Sequence, residues 1–453
     1  MRPLRKSSVL VATVVAATAF AMLAGWLTSA GLAVPPGLPH AVVAGTFAFN
    51  WSLSPARIRI PRSYGMALLA LAVYLFADTL LGQHAAGTYA LGALLTFTFV
   101  LLFLCGLHTK AHGRALERML QLLTFLICAL ALGTLLRPLL SGAFVRDTPP
   151  LFRELGAMGT ACNVAAVTAL VMSVSSRRRY FYLTLACLLS LAVVLTTLKK
   201  SIVCNGIVWL LFLFGAPTVS RRVKTYALVG MLSASALGLA TSWDELRANL
   251  AITTQAIEAR NMEALVRPAL YVAAFDVARD HFPFGSGLGT FASVASMWRG
   301  YSELYYTYGL ARMQPFSPEL AAQGLSYLFD SCWAHVLAEL GFLGSCIYFV
   351  LWFLPASYAV KALRDRPDPA SQGLLLYVVG VCVVMTVEGI ATYNPEIVSF
   401  AVFHSAIAGL VIRNVAWEAR AARFPRRADP AAWGPESQTA ARSEDRTVSA
   451  GKG

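Results

Sequence analysis

Three ionisable residues fall within ten positions where a polar stretch gives way to an apolar one: Asp330, His335 and Glu339. His335 and Glu339 are spaced to share one face of a helix, one turn apart. Asp330 or Ser331 is a good N-cap for that helix, which is one reading of the aspartate. The other is chemical: a carboxylate at the mouth of an apolar helix can act as general base for an incoming hydroxyl. Ionisable groups just inside a membrane are costly and so are functional candidates. Upstream, Lys199-Lys200-Ser201 joins two apolar segments with almost no loop between them. Two ammonium groups held there either snorkel to head groups or form a cationic seat for a pyrophosphate, lowering the cost of a leaving phosphate. Arg267 precedes Pro268 at what reads as the first turn of a helix, within an amphipathic-looking run from Trp243 to Asp280.

That run breaks at His281-Phe282-Pro283-Phe284-Gly285-Ser286-Gly287-Leu288-Gly289. The Gly-x-Gly-x-Gly pattern does not follow a strand, so it reads as a tight loop and not a nucleotide-binding fingerprint. Trp298, Tyr301, Tyr305, Tyr306 and Tyr308 follow within eleven residues. Such rings suit either the faces of sugars or an aromatic belt at a lipid interface. The eight cysteines lie in apolar segments or, for Cys332, at a boundary, with neither a disulfide framework nor metal-ligand spacing.

The elements that position these residues follow from composition. The chain of 453 residues is 57% hydrophobic and 13% charged, with mean hydropathy +0.62, outside the range of soluble domains. About twelve apolar windows of membrane length are expected, near 9–33, 38–54, 64–82, 88–108, 119–140, 158–175, 180–198, 202–219, 225–241, 332–360, 372–392 and 397–412. The first is too long for a cleaved signal and is kept as a helix. The expected fold is an all-α polytopic membrane protein. Helices over 1–241, one long extracytoplasmic loop over 242–330, helices over 331–412 and a disordered tail over 413–453 make up its parts.

The basic residues orient it. Of 37, 26 fall in alternate loops and in the C-terminal tail, which places both termini in the cytoplasm. The net charge of +14 is therefore membrane anchoring and not a nucleic-acid surface. The other eleven, Arg137, Arg146, Arg153, Lys199, Lys200, Arg247, Arg260, Arg267, Arg279, Arg299 and Arg312, fall on the opposite side. Positive charge at membrane depth there calls for an anionic head group or phosphate.

Residues 267–289 and 330–344 together resemble the O-antigen ligase and O-antigen polymerase superfamily of bacterial surface-polysaccharide enzymes. The resemblance rests on Arg267-Pro268-Ala269-Leu270-Tyr271, then on His281 through Phe291. It also rests on Asp330-Ser331 followed after nine residues by Gly341 and then Gly344. The twelve-segment layout with one long loop before the tenth segment agrees with it. It implies a metal-independent, inverting transfer of glycan from a polyprenyl-pyrophosphate carrier to an acceptor hydroxyl at the periplasmic face of the inner membrane, with no cofactor. Arg267 would hold the pyrophosphate, and Lys199-Lys200 stands where relatives show Ser-Arg, keeping charge but not the bidentate fork. Ligases carry histidine where this chain has Asp330; aspartate there is similar to the polymerase side, with His335 a possible substitute base.

The resulting expectation is a polymerase of lipid-linked repeat units. Asp330 or His335 would activate the acceptor, and Arg267, Lys199 and Lys200 would bind pyrophosphate. Tyr305 and Tyr306 would guide glycan, and Arg137 and Arg153 would hold the second lipid-linked substrate. The alternatives are a ligase acting on lipid A–core or a protein acceptor, and a transporter of lipid-linked saccharide. Expected partners are the carrier-linked glycan, the bilayer and other polysaccharide-assembly proteins.

Overall fold

The computed structural model describes residues 6–417 apart from 30–37, 54–59, 82–85, 110–112, 142–154, 197, 217–218, 259–265, 323–326, 365–367 and 394–396. The described residues are helical, with no β-strand among them. The tail expected to be disordered lies outside them from residue 418 onward. Ten helices come first: α1 (Lys6–Ser29), α2 (Leu38–Leu53), α3 (Arg62–Leu81), α4 (Ala86–Thr96), α5 (Thr98–His108), α6 (Gly113–Ser141), α7 (Leu155–Ser175), α8 (Arg179–Leu195), α9 (Lys199–Gly215) and α10 (Arg221–Glu258). Then come α11 (Val266–Asp280), the short α12 (Val294–Arg299), α13 (Glu303–Thr307) and α14 (Pro318–Ala322), and the long α15 (Cys332–Leu363) and α16 (Pro369–Glu388). The last stretch, Val398–Trp417, alternates α-helical and π-helical turns.

Within the described residues, each apolar window is mostly helix. By length and composition, five described segments could cross a membrane: Arg62–Leu81, Arg114–Thr134, Gly156–Ser175, Cys332–Leu363 and Pro369–Glu388. Tyr89–Thr96 and Thr98–His108, bent by 51°, make a sixth if they form one span. The segment expected to end at residue 241 runs on to Glu258. Its continuation, Trp243 to Glu258, holds neither glycine nor proline, and alanine is its commonest residue, so nothing in it stops a helix.

The centre of the bundle is α7, which packs against α6, α8, α9 and α16. Its Ala161, Ala165, Ala166 and Ala169 are fully buried. Small side chains let helix backbones approach closely where lipid supplies no hydrophobic drive between them. The same device recurs on α16, where a Cβ on Gly380 would stand 2.7 Å from Val167 Cγ1. Another glycine, Gly159 of α7, lies so close to α9 that a Cβ there would meet Ser201 Oγ at 2.6 Å.

The polar insert carries a small core of its own. Leu270, Ala274 and Val277 of α11 pack with Phe291, Tyr305, Leu310, Phe316 and Leu328, and with Ala334 and Ala338 of α15. The insert thus sits on the first turns of α15 and is not an independent tether. Leu270 and Ala274 form part of the buried face of α11, as their spacing predicts. Phe275, one residue on, is half-exposed and meets Phe342 at a ring distance of 5.4 Å.

Helix α15 is broken at Gly341 (φ 59°, ψ −171°), and the glycine-rich loop fills the break. Ser286 N donates to Ala338 O at 2.9 Å, and Gly287 N donates to Glu339 O at 3.0 Å. Tyr74 Oη of α3 lies 2.8 Å from both Leu340 O and Phe284 O and shares its one hydrogen between them. Carbonyls freed by the break are therefore satisfied from outside the helix, as buried backbone requires. The loop turns through Gly285, Gly287 and Gly289, all at positive φ, a region open to glycine at no steric cost. The expected tight loop is present, and its purpose is visible: it props the first half of α15 in place.

Candidate functional site

Four helix ends meet at one end of the bundle: the N-terminal turns of α9, α11 and α15 and the C-terminal end of α16. Arg267, in the first turn of α11, reaches Asp330, immediately before the α15 cap, with Nη2 2.6 Å from Oδ2. The cap itself is Ser331, whose Oγ accepts from Ala334 N at 3.4 Å. Asp330 is thus released from the capping role and is paired with a cation. Its side chain is 24% exposed and that of Arg267 is 47% exposed. An ion pair this accessible contributes about 1 kcal/mol at most, so it accounts for little of the fold's stability. Burial raises the Asp330 carboxyl above the ordinary aspartate range even though Arg267, and beyond it Lys200, pull in the opposite direction.

Lys200 enters from α9. Its Nζ donates to Ala391 O at 2.8 Å and lies 3.7 Å from Glu388 Oε2 at the end of α16. Tyr271, one turn after Arg267 on α11, donates to Ile390 O at 3.0 Å and also faces Ser331. Burial is the main cause that pushes its phenol up to about 12, so it remains a neutral donor. The backbone of residues 389–392 is clamped from a third side: Cys332 N donates to Gly389 O at 3.0 Å and to Thr392 O at 2.9 Å. Arg267, Asp330 and Lys200, far apart in sequence, are brought into one electrostatic neighbourhood by these contacts. A guanidinium and an ammonium there can take phosphate oxygens, and a carboxylate beside them can take a proton.

The remaining sequence candidates fare differently. His335 is fully buried, one turn before Glu339, and so lies inside the protein and not at the mouth. Glu339 is also fully buried; its Oε1 accepts from Phe291 N at 2.9 Å and Ser293 Oγ at 2.7 Å. Glu339 therefore anchors the turn that starts α12, a structural use of an intramembrane carboxylate. Tyr305 is buried in the insert core and its Oη accepts from Ala292 N at 2.9 Å, so it cannot line a glycan path. Tyr306 is 56% exposed. Lys199 is half-buried beside Lys200. Arg137 lies near the end of α6; Arg153 lies outside the described residues. Among the described residues no group of three or more His, Cys, Asp or Glu is gathered as a metal site.

Sequence reasoning passed over Glu388, Asn163 and Asn205. All three stand in apolar windows, and the ionisable Glu388 inside such a window is by that fact alone a candidate. No family model matches this chain, and no curated protein matches it.

Proposed function

We propose that this chain is a polymerase of the bacterial inner membrane, joining polyprenyl-pyrophosphate-linked repeat units at the periplasmic face. On this reading all twelve apolar segments cross the membrane, with both termini in the cytoplasm and the insert outside. The observation that carries it is the convergence of Arg267, Lys200 and Asp330 at one end of an apolar bundle. A donor pyrophosphate takes Arg267 and Lys200, and in doing so draws the guanidinium away from Asp330. The freed carboxylate accepts the proton of the acceptor hydroxyl, whose oxygen attacks the anomeric carbon from the face opposite the leaving group. The bond from that carbon to the pyrophosphate oxygen breaks, and its electron pair leaves with the phosphate, where the two cations stabilise it. Inversion follows from the single displacement. Asp330 suits the base role because burial holds its carboxyl above the ordinary range, nearer the operating pH.

The direct test is purified protein in lipid discs with a polyprenyl-pyrophosphate oligosaccharide as the only glycan, products being resolved by size. A ladder in multiples of the repeat unit supports the polymerase. Transfer that begins only when lipid A–core is added makes the protein a ligase, and no product in either case favours a transporter.

Two predictions attach to the same assay. Arg267→Ala combined with Lys200→Met abolishes polymer, compared at equal amounts of folded protein: loss of the half-exposed Arg267 costs the fold little, whereas loss of Lys200 leaves the buried Glu388 without its counter-charge and lowers stability. Unchanged polymer in that double variant overturns the pyrophosphate assignment. The acid limb of the rate profile is expected above the ordinary carboxylate range, since Asp330 must be ionised to act and its carboxyl is raised. A limb at the ordinary aspartate value removes Asp330 from the base role.

A further inference from the structure

Lys200 and Glu388 each stand at the wrong end of their helix. An ammonium in the first turn of α9 faces the positive end of the helix dipole, and a carboxylate in the last turn of α16 faces the negative end. Glu388 is also fully buried, where an ionised group needs both a counter-charge and hydrogen bonds. A connected chain of side chains supplies the counter-charge and a hydrogen bond to one of the two carboxylate oxygens. Asn163 Nδ2, on the fully buried face of α7, donates to Glu388 Oε1 and to Ser201 O, both at 3.0 Å. Asn163 Oδ1 in turn accepts from Asn205 Nδ2 at 2.9 Å. Both hydrogens of the Asn163 amide and its oxygen are thereby engaged, which fixes its orientation. Glu388 Oε2, 3.7 Å from Lys200 Nζ, completes the line from the middle of α9 to the mouth.

A line of this kind is an expensive way to hold a bundle together, since apolar side chains of equal volume would serve as well or better. What apolar residues could not do is hold one ammonium within electrostatic reach of Asp330. We infer that Glu388, held by Asn163 and Asn205, is a positioning residue that sets Lys200 for the donor pyrophosphate. This deepens the proposed function and rests on it. Glu388 acts through Lys200 and touches no substrate, so its removal weakens donor binding only while Lys200 is present.

The test is a double-mutant cycle on binding of undecaprenyl pyrophosphate to the full chain in lipid discs, alongside KM and kcat for polymer formation. Glu388→Gln and Lys200→Met are each expected to weaken binding about tenfold, the range of one charged hydrogen bond. KM should rise accordingly and kcat change less. The double variant is expected to bind no more weakly than Lys200→Met alone. Additive losses, or wild-type binding by Glu388→Gln, overturn the positioning role. If Glu388→Gln does not fold, Asn163→Ser enters the same cycle, with the same non-additivity expected and the same additivity fatal. Failure of the wild-type chain to bind the lipid pyrophosphate at all overturns the functional reading instead, and this outcome is distinct from the others.

Discussion

Asp330→Asn is expected to lower polymer formation by about a thousandfold, within the range general-base groups contribute, while undecaprenyl pyrophosphate still binds. The amide keeps the volume of the carboxyl and can still accept from Arg267, but it has no lone pair basic enough to take the acceptor proton. Ser331 remains as helix cap, with its Oγ on Ala334 N, so the start of α15 should hold. The contrast with Arg267→Ala is the informative part. Removal of the guanidinium should weaken donor binding, whereas the Asp330 change should leave binding and remove turnover. Retained turnover in Asp330→Asn would show that the proton goes elsewhere. His335 is poorly placed for that, since it is fully buried.

Gly341→Ala is expected to be among the most damaging single-methyl changes at the described glycines. A Cβ at this position would stand 2.6 Å from Gly285 N and from Pro283 O, on a backbone with φ of 59°. All the near atoms are backbone, so none can swing aside. Positive-φ strain costs about 1–3 kcal/mol and overpacking costs about as much again. Together these are a large part of what holds a marginally stable fold. Thermal unfolding in detergent should show a strong downward shift, with the loop at 281–293 more open to protease. Gly206→Ala is the matched control. It lies within α9 with nothing within 4 Å of the added Cβ, so alanine there should be neutral or slightly stabilising. Equal behaviour of the two variants would mean the loop does not brace α15. Because Asp330 and Ser331 sit at the start of the same half-helix, Gly341→Ala should also reduce activity in whatever protein remains folded.

The buried carboxylates divide by what surrounds them. Glu339 is tied to backbone and hydroxyl donors of the insert, and its work is architectural. Glu388 is held by Asn163 and paired directly with a cation that faces the mouth, and the work proposed for it is directional. The two residues look alike in sequence, each a single acid in an apolar run. Only the partners that folding brings to them separate the roles.

Much of this protein was legible before folding was considered. Hydropathy and residue spacing located the helical segments, because a chain in lipid must satisfy its backbone within each segment. The same logic placed Arg267 in a first turn, Asp330 or Ser331 at a cap, and a tight turn at the glycine repeat. Apolar content ended α10 at residue 241, because the continuation to Glu258 is polar although nothing in it stops a helix. Nor could it say that the tyrosines at 305 and 306, adjacent in the chain, part ways between core and surface. That choice depends on which face of a short helix meets Leu310 and Phe316. Above all, the mouth itself is tertiary: Lys200, Arg267, Asp330 and Glu388 come from four helix ends separated by up to 188 positions. Local pattern records what each segment can do alone, whereas the pairing of a charge with its partner is decided by packing, and packing here turns on small residues and a broken helix.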